Sequence, residues 1–376
     1  VNLNSNVDLL IVGAGPVGCT IAERASTIRD WRSVIIDKRD HIGGNCHDCT
    51  NEHGQLIHKY GPHYFRTNQD EVLNYLSNFT DWIPGNYVVK SSVNGSLYPF
   101  PINLTTLEKF FNKSFTESEA RSFLEDLSLE FEFPSNSEEF ILSRLGRDLY
   151  ESFYLGYTKK QWDLHPKDLS PSVCGRIPIR FDRGESYVNA KHQCIPKDGY
   201  TSLFSKMISS ENIQFLGNTD FNAIKQNFLP KVATIYTGPI DEYFDYCYGK
   251  LPWRSLAFEW KTFEEQFVQP CVQINFPNEN LYTRSVEIKH VTKQNLDTTS
   301  ISYEFPKSQG DPFYPIPNES SSSLYDKYRI LAQKETENSK VFFVGRLAEF
   351  TYINTDEAIL KGLETFDKIS TLNDTT

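Results

Sequence analysis

Short unbroken apolar runs lie near both ends of the chain, and a longer stretch of helical periodicity lies between them. Val7–Val12 carries one such run and stops at Gly13, which predicts a strand covered on both faces of a parallel sheet. A helix should start at the glycine turn and run through Arg24 and Ala25, with Ser33–Asp37 as the second strand. Together they make a βαβ unit of roughly 30 residues. Within residues 105–165, Leu107, Phe110, Phe111, Phe123, Leu124, Leu127, Phe140, Ile141, Leu145, Leu149 and Phe153 recur at helical spacing, predicting a mainly helical insertion. Residues 230–305 read as strands, notably Val232–Tyr236 before Thr237-Gly238-Pro239 and Cys271–Phe276 before a Pro-Asn turn. Val341–Val344 predicts a buried strand ending at Gly345-Arg346, and Asp356–Ile369 a last helix that returns the chain to the N-terminal sheet. Asn318–Ser323 reads as a short polar loop.

The first turn carries chemistry. Gly13-Ala14-Gly15-Pro16-Val17-Gly18 fits the dinucleotide fingerprint between a strand and a helix. The first glycine permits the tight turn, the second admits a pyrophosphate, and the third lets helix and strand pack closely. Asp37 follows at the end of the second strand, where an acid accepts ribose hydroxyls. NAD could occupy such a unit. FAD is favoured by Lys38, Arg39, Gly43, Gly44 and Asn45, since flavoproteins of the glutathione-reductase and amine-oxidase type follow the acid with a basic residue and a glycine pair. Gly345-Arg346 after a distant strand suits a second backbone approach to an extended cofactor. The expected fold is therefore α/β: a Rossmann-type FAD-binding part (1–100), a helical insertion (101–170), a substrate-side sheet with returns to the FAD domain (171–335), and a C-terminal return (336–376).

Charge narrows the partners. The net charge is −11, which leaves no basic footprint for nucleic acid, so any phosphate must meet a local cluster of cations. No apolar run is long enough to span a bilayer and no secretory signal is visible, so a cytoplasmic protein without membrane insertion is expected. Cysteine is used 7 times, with one CxxC at Cys46 and Cys49 and no second, which predicts neither a disulfide framework nor a metal site. Aromatics reach 14%, enough to line a cleft or to pack between subdomains.

Longer phrases then add a resemblance. His58-Lys59-Tyr60-Gly61-Pro62-His63-Tyr64-Phe65, Tyr98–Asn103, Gly156-Tyr157-Thr158-Lys159-Lys160-Gln161-Trp162, Arg176-Ile177-Pro178-Ile179-Arg180, Tyr236–Asp241, Tyr282-Thr283-Arg284 and Gly345–Glu349 resemble, in order, the UDP-galactopyranose mutases. The resemblance implies an isomerase that interconverts UDP-galactopyranose and UDP-galactofuranose for cell-surface polysaccharide. FAD would act reduced, through a flavin N5–sugar adduct, with an external reductant such as NAD(P)H. It implies diphosphate contacts from Arg176, Arg284, Tyr187, Tyr314 and Tyr352, with Arg254 in support. It places Tyr157 on the uracil, with Phe153, Tyr154 and Thr158 nearby, and Trp162 beside the sugar. His58, Tyr60, Gly61, Pro62 and His63 would lie along the cofactor, His63 near the reacting edge, joined by Arg346, Tyr352, Asn354 and Thr355. A homodimer follows by resemblance alone.

Two positions depart from the family pattern: Arg66 stands where His is usual, and Asn354 where Asp is common. An arginine beside the sugar adds a permanent charge, so UDP-N-acetylgalactosamine or a deoxy-sugar nucleotide competes with UDP-galactose. Two other classes share the scaffold. A flavin oxidase would not need the paired arginines, and a non-enzymatic binder such as the Rab-GDP dissociation inhibitors would not need the intact cofactor motif.

Overall fold

The computed structural model describes residues 7–225 and 228–374. Leu9–Val12 sits at the centre of a five-stranded parallel sheet in the order 213–216, 33–36, 9–12, 233–236, 341–343. Leu9, Leu10 and Ile11 are buried because both faces of the sheet are covered, which is why the strand is apolar at successive positions. The helix Pro16–Arg29 opens with Pro at its first turn and closes on Asp30 in the left-handed conformation. It packs against the C-terminal helix Thr355–Asp374 at Gly362, where a Cβ would lie 2.8 Å from Thr20 Cβ.

A seven-stranded sheet forms the second layer, in the order 314–315, 253–263, 299–307, 284–286, 273–275, 89–93, 96–100. Thr299–Lys307 runs antiparallel to both Trp253–Phe263 and Arg284–Val286. Residues 65–67, 192–196 and 82–84 make a small third sheet, and Asp48–Thr50 pairs with Leu56–His58 as a separate hairpin.

Between these lies the helical segment, whose first three helices start where a short polar side chain satisfies a free backbone N–H. Asn103 caps Leu104–Phe111, Thr116 and Glu119 form a reciprocal capping box on Glu117–Leu127, and Asn136 caps Ser137–Leu149. A widened π-type turn at Tyr150–Leu155 then leads into Gly156–Trp162, so Phe153, Tyr154 and Tyr157 do not follow plain helical phasing.

The expected strands and terminal helices are present within a few residues. Asn318–Ser323 is a correction: Asn318 caps a helix, Glu319–Ser339, whose polar first turn resembles a loop. Among the described residues no helix is long and apolar enough to cross a membrane. Gly362→Val should force the two long helices apart and cost about 1–3 kcal/mol of stability; a urea midpoint equal to wild type would show that the contact relaxes freely.

Candidate active site

The crevice at the carboxyl ends of the parallel strands is where an α/β sheet binds its ligand, and the glycine turn lies there. Gly13 has φ +108°, and Gly18 packs so tightly that a Cβ would sit 2.1 Å from Gly13 O. The helix behind them has no side-chain cap and no acidic residue in its first turn, which leaves its N-terminal N–H groups and dipole for an anion. Asp37 Oδ2 accepts the Ala14 N–H at 2.9 Å, fixing the carboxylate beside the turn. Gly44 comes within van der Waals reach of Gly15, closing the bed from the opposite side. Pro16, Val17 and Gly345 complete it, since a Cβ on Gly345 would meet Val17 at 3.2 Å. These features fit the diphosphate half of a dinucleotide.

Arg39 lies on the face of Tyr60, 4.1 Å from the ring centroid, and donates to Asn45 at 3.0 Å, so three expected cofactor residues meet. Lys38 turns outward to Glu242 and Asp220. Thr355 Oγ1 is 3.7 Å from the Cys46 sulfur. Burial pushes the Cys46 thiol up to about 12, so it stays protonated at neutral pH.

Beyond the glycine bed, side chains from distant parts of the chain converge on Tyr352. Arg176, which follows the short helix Ser172–Gly175, lies 4.6 Å from the Tyr352 ring centroid, and Arg346 lies 5.0 Å from it. Tyr314 stacks on Tyr352 at 5.7 Å and accepts from Arg284 at 3.3 Å. The surrounding protein opposes ionisation of the Tyr352 phenol, but Arg176, Arg346, Arg66 and Arg284 together hold it below its ordinary value. Of these four cations only Arg284 is ion-paired among the described residues, to Glu304 at 2.7 Å.

Glu304 was not legible as a site residue. It is fully buried, and burial raises its carboxyl while Arg284 opposes the rise. A lone charge within the apolar strand Ile301–Phe305 was the available signal. Its partner is set by register, because Arg284 and Glu304 stand opposite each other on neighbouring antiparallel strands. Gly61 packs beneath, where a Cβ would be 3.4 Å from Glu304 Oε1.

His63 follows on that turn. Its Nδ1 donates to Gly61 O at 2.9 Å, and burial, reinforced by His58, Arg346 and Arg284, lowers its imidazole to about 3. It is therefore neutral at physiological pH, with Nε2 as a free acceptor. Trp162 is buried with its ring 6.3 Å from Tyr314. Tyr157 and Tyr187 lie within electrostatic reach of Arg284 and Arg176 respectively. Arg66 donates to Asn354 at 2.9 Å, bringing the two departures from the family pattern into one contact.

Other expected ligand residues are packed among neighbouring side chains. Phe153 and Tyr154 are buried against Tyr98, Phe110 and Phe100, and Thr158 lies 3.8 Å from the Cys174 sulfur. Arg254 is buried and donates to Gln161 O and Ser308, pinning the end of helix Gly156–Trp162. His58 is buried beneath the cofactor bed.

Comparison with known proteins agrees with this geometry. The UDP-galactopyranose mutase family model matches residues 152–352, and a Rossmann-like NAD(P)-binding model matches residues 11–79. A probable UDP-galactopyranose mutase of Klebsiella pneumoniae is 35% identical over 97% of this chain and 95% of its own length. The dTDP-fucopyranose mutase of Escherichia coli is also 35% identical, over 95% of this chain and 96% of its own. A crystal structure of reduced UDP-galactopyranose mutase superposes with a TM-score of 0.76 at 17% identity, covering 97% of this chain and 94% of that one. A Rossmann-type fold with a flavin-type cofactor site, a cation cluster at its mouth and full-length likeness to the mutases lead to one assignment: the chain belongs to the UDP-galactopyranose mutase family and is an isomerase of that type.

Proposed function

We propose that the chain interconverts the pyranose and furanose forms of a nucleotide sugar, with UDP-galactose as the first substrate and reduced FAD as the cofactor. The carrying observation is the convergence of Arg66, Arg176, Arg284 and Arg346 on Tyr352 in a protein of net charge −11. Such a concentration of guanidinium suits a nucleoside diphosphate, which guanidiniums engage through paired hydrogen bonds. Reduced FAD in the glycine bed would supply an electron-rich ring edge to the anomeric carbon.

The protein's own part follows from the side chains. Arg176 and Arg284 hold the diphosphate and neutralise it as it leaves, with Tyr187, Tyr314 and Tyr352 as donors. Tyr157 offers a ring to the uracil, and Trp162 walls the sugar side. His63 is held neutral, so it can accept a hydrogen bond at Nε2 without repelling the arginines. Glu304 steadies Arg284 from the side of Nε and Tyr314 accepts from Nη2, so Nη1 and the second Nη2 hydrogen face the ligand. Self-association as a homodimer belongs to the same proposal, supported by Leu129, Phe131 and Phe133 exposed on one loop, Phe133 at 82%.

The deciding experiment reduces the purified protein with dithionite and offers UDP-galactose, UDP-N-acetylgalactosamine and dTDP-fucose. Pyranose–furanose exchange without net oxidation is expected, and an oxidised product would replace this reading with that of an oxidase. A rate for UDP-N-acetylgalactosamine or dTDP-fucose above that for UDP-galactose would move the sugar assignment to the better substrate.

Arg176→Ala and Arg284→Ala should fold and stay yellow while losing turnover by about a hundredfold or more. Near-normal kcat in either would remove that arginine from the mechanism. The Tyr352 phenol gives a pH dependence with a definite sign. Its pKa is lowered in the free site and rises again when a bound diphosphate neutralises the arginines, so binding takes up a proton. Affinity for a UDP-sugar should therefore fall as pH climbs toward the ordinary tyrosine value of about 10, and Tyr352→Phe should flatten the profile. Calorimetry at several pH values reads this directly, and an equally steep fall in the phenylalanine variant would exclude Tyr352 as the cause.

A further inference from the structure

The hairpin of Asp48–Thr50 and Leu56–His58 lies between two turns of the cofactor bed. Its first strand follows Gly43–Asn45, and its second leads into Gly61–His63. Asp48 and His58 stand opposite each other in register at the open end, and both are only 2% exposed. A buried carboxylate beside a buried imidazole needs partners, and each has them on its far side. Asp48 accepts the backbone N–H of Tyr200 at 2.6 Å and of Thr201 at 2.8 Å, at the start of helix Gly199–Met207. His58 Nδ1 accepts the backbone N–H of His63 at 3.0 Å.

That last bond fixes the tautomer. A ring nitrogen that accepts carries no proton, so in the neutral imidazole the proton sits on Nε2. Among the described residues Nε2 has no hydrogen-bond partner, and it faces Asp48 Oδ2 at 4.0 Å. The edge of the Tyr200 ring system packs at 5.8 Å and 78°, limiting rotation of the imidazole.

We propose that Asp48 and His58 form a positioning pair: His58, kept as its Nε2–H tautomer opposite Asp48, anchors the His63 amide and so sets the Gly61–His63 turn relative to the Gly43–Asn45 turn. Burial, opposed by Asp48, keeps the imidazole below its ordinary value, so the anchor persists at neutral pH. His58 then acts through His63 and Gly61, which pack toward Arg284 and Glu304, and touches no substrate itself. The proposal rests on the reading of this bed as the flavin site.

The test uses the holoenzyme with nitrogen-labelled histidine, of which the chain has 8 residues. Magnetic resonance should find His58 as the neutral Nε2–H tautomer at neutral pH; an Nδ1–H tautomer overturns the proposal. Asp48→Asn should leave the Nε2–H tautomer that the His63 N–H sets and shift the Nε2–H proton resonance as the facing charge is lost, and an unchanged resonance would remove Asp48 from the pair. His58→Asn retains an acceptor near the Nδ1 position and should keep the visible flavin spectrum, with kcat within about threefold of wild type. His58→Phe loses the acceptor and should shift the flavin bands and lower kcat about tenfold or more, with KM nearly unchanged. A well-folded His58→Phe protein with native spectrum and native kcat overturns the positioning role. If that variant does not fold, the tautomer assignment and the two asparagine variants still decide. A wild-type protein that takes up no flavin would defeat the functional reading, whereas the tautomer assignment would continue to report on the pair itself.

Discussion

Like charges gathered in one cleft repel each other, and the active site depends on how that repulsion is held. Arg66, Arg176, Arg284 and Arg346 all act on the Tyr352 phenol, yet a single carboxylate, Glu304, pairs with only one of them among the described residues. The others are restrained by neutral groups. Arg346 donates to the carbonyls of Phe313 and Ile353 and lies against the Tyr352 ring, Arg176 lies on the same ring, and Arg66 donates to an amide. Carbonyl dipoles and ring faces steady a guanidinium without cancelling its charge. The positive potential therefore stays available to an anionic ligand.

The fold supplies the rigidity this needs. Arg284 stands on a strand of the seven-stranded sheet, Arg66 on the small sheet, and Arg346 just past the edge strand of the parallel sheet. Three sheets thus contribute one cation each, and Arg176 comes from the end of the helical segment. A ligand that joins the glycine bed to this cluster would bridge every layer of the molecule. Site and fold are linked because the cations cannot approach one another unless the layers pack as they do.

How much of this could be read in advance depended on distance along the chain. The glycine turn and Asp37 were legible because the whole device occupies one βαβ unit, where each residue type has a local geometric reason. The arginines became legible through the phrases around them, since a lone arginine is normally a surface charge. Glu304 was not legible because its meaning comes from antiparallel register with Arg284, 20 residues earlier and across a connection that holds the short helix Lys289–Thr292. Asp48 lies inside the CxxC of Cys46 and Cys49 and His58 opens one of the family phrases, yet their pairing belongs to a hairpin too short to give a periodic signal. The misreading of Asn318–Ser323 has a similar origin, because a capping asparagine followed by serines satisfies a helix start and a loop equally well.

Arg66 and Asn354 gain meaning from their contact. An aspartate at position 354 would place an anion against Arg66 and cancel much of its charge. The amide instead turns its oxygen to Arg66 at 2.9 Å and its nitrogen to Glu357 at 3.0 Å, so it orients the guanidinium and leaves its charge in place. The two departures therefore act as one change. Set against the pattern that the resemblance implies, with His at position 66 and Asp at 354, the pair adds positive charge near Tyr352. Any difference in sugar preference should follow the pair, because either residue alone would face a partner suited to the other pattern.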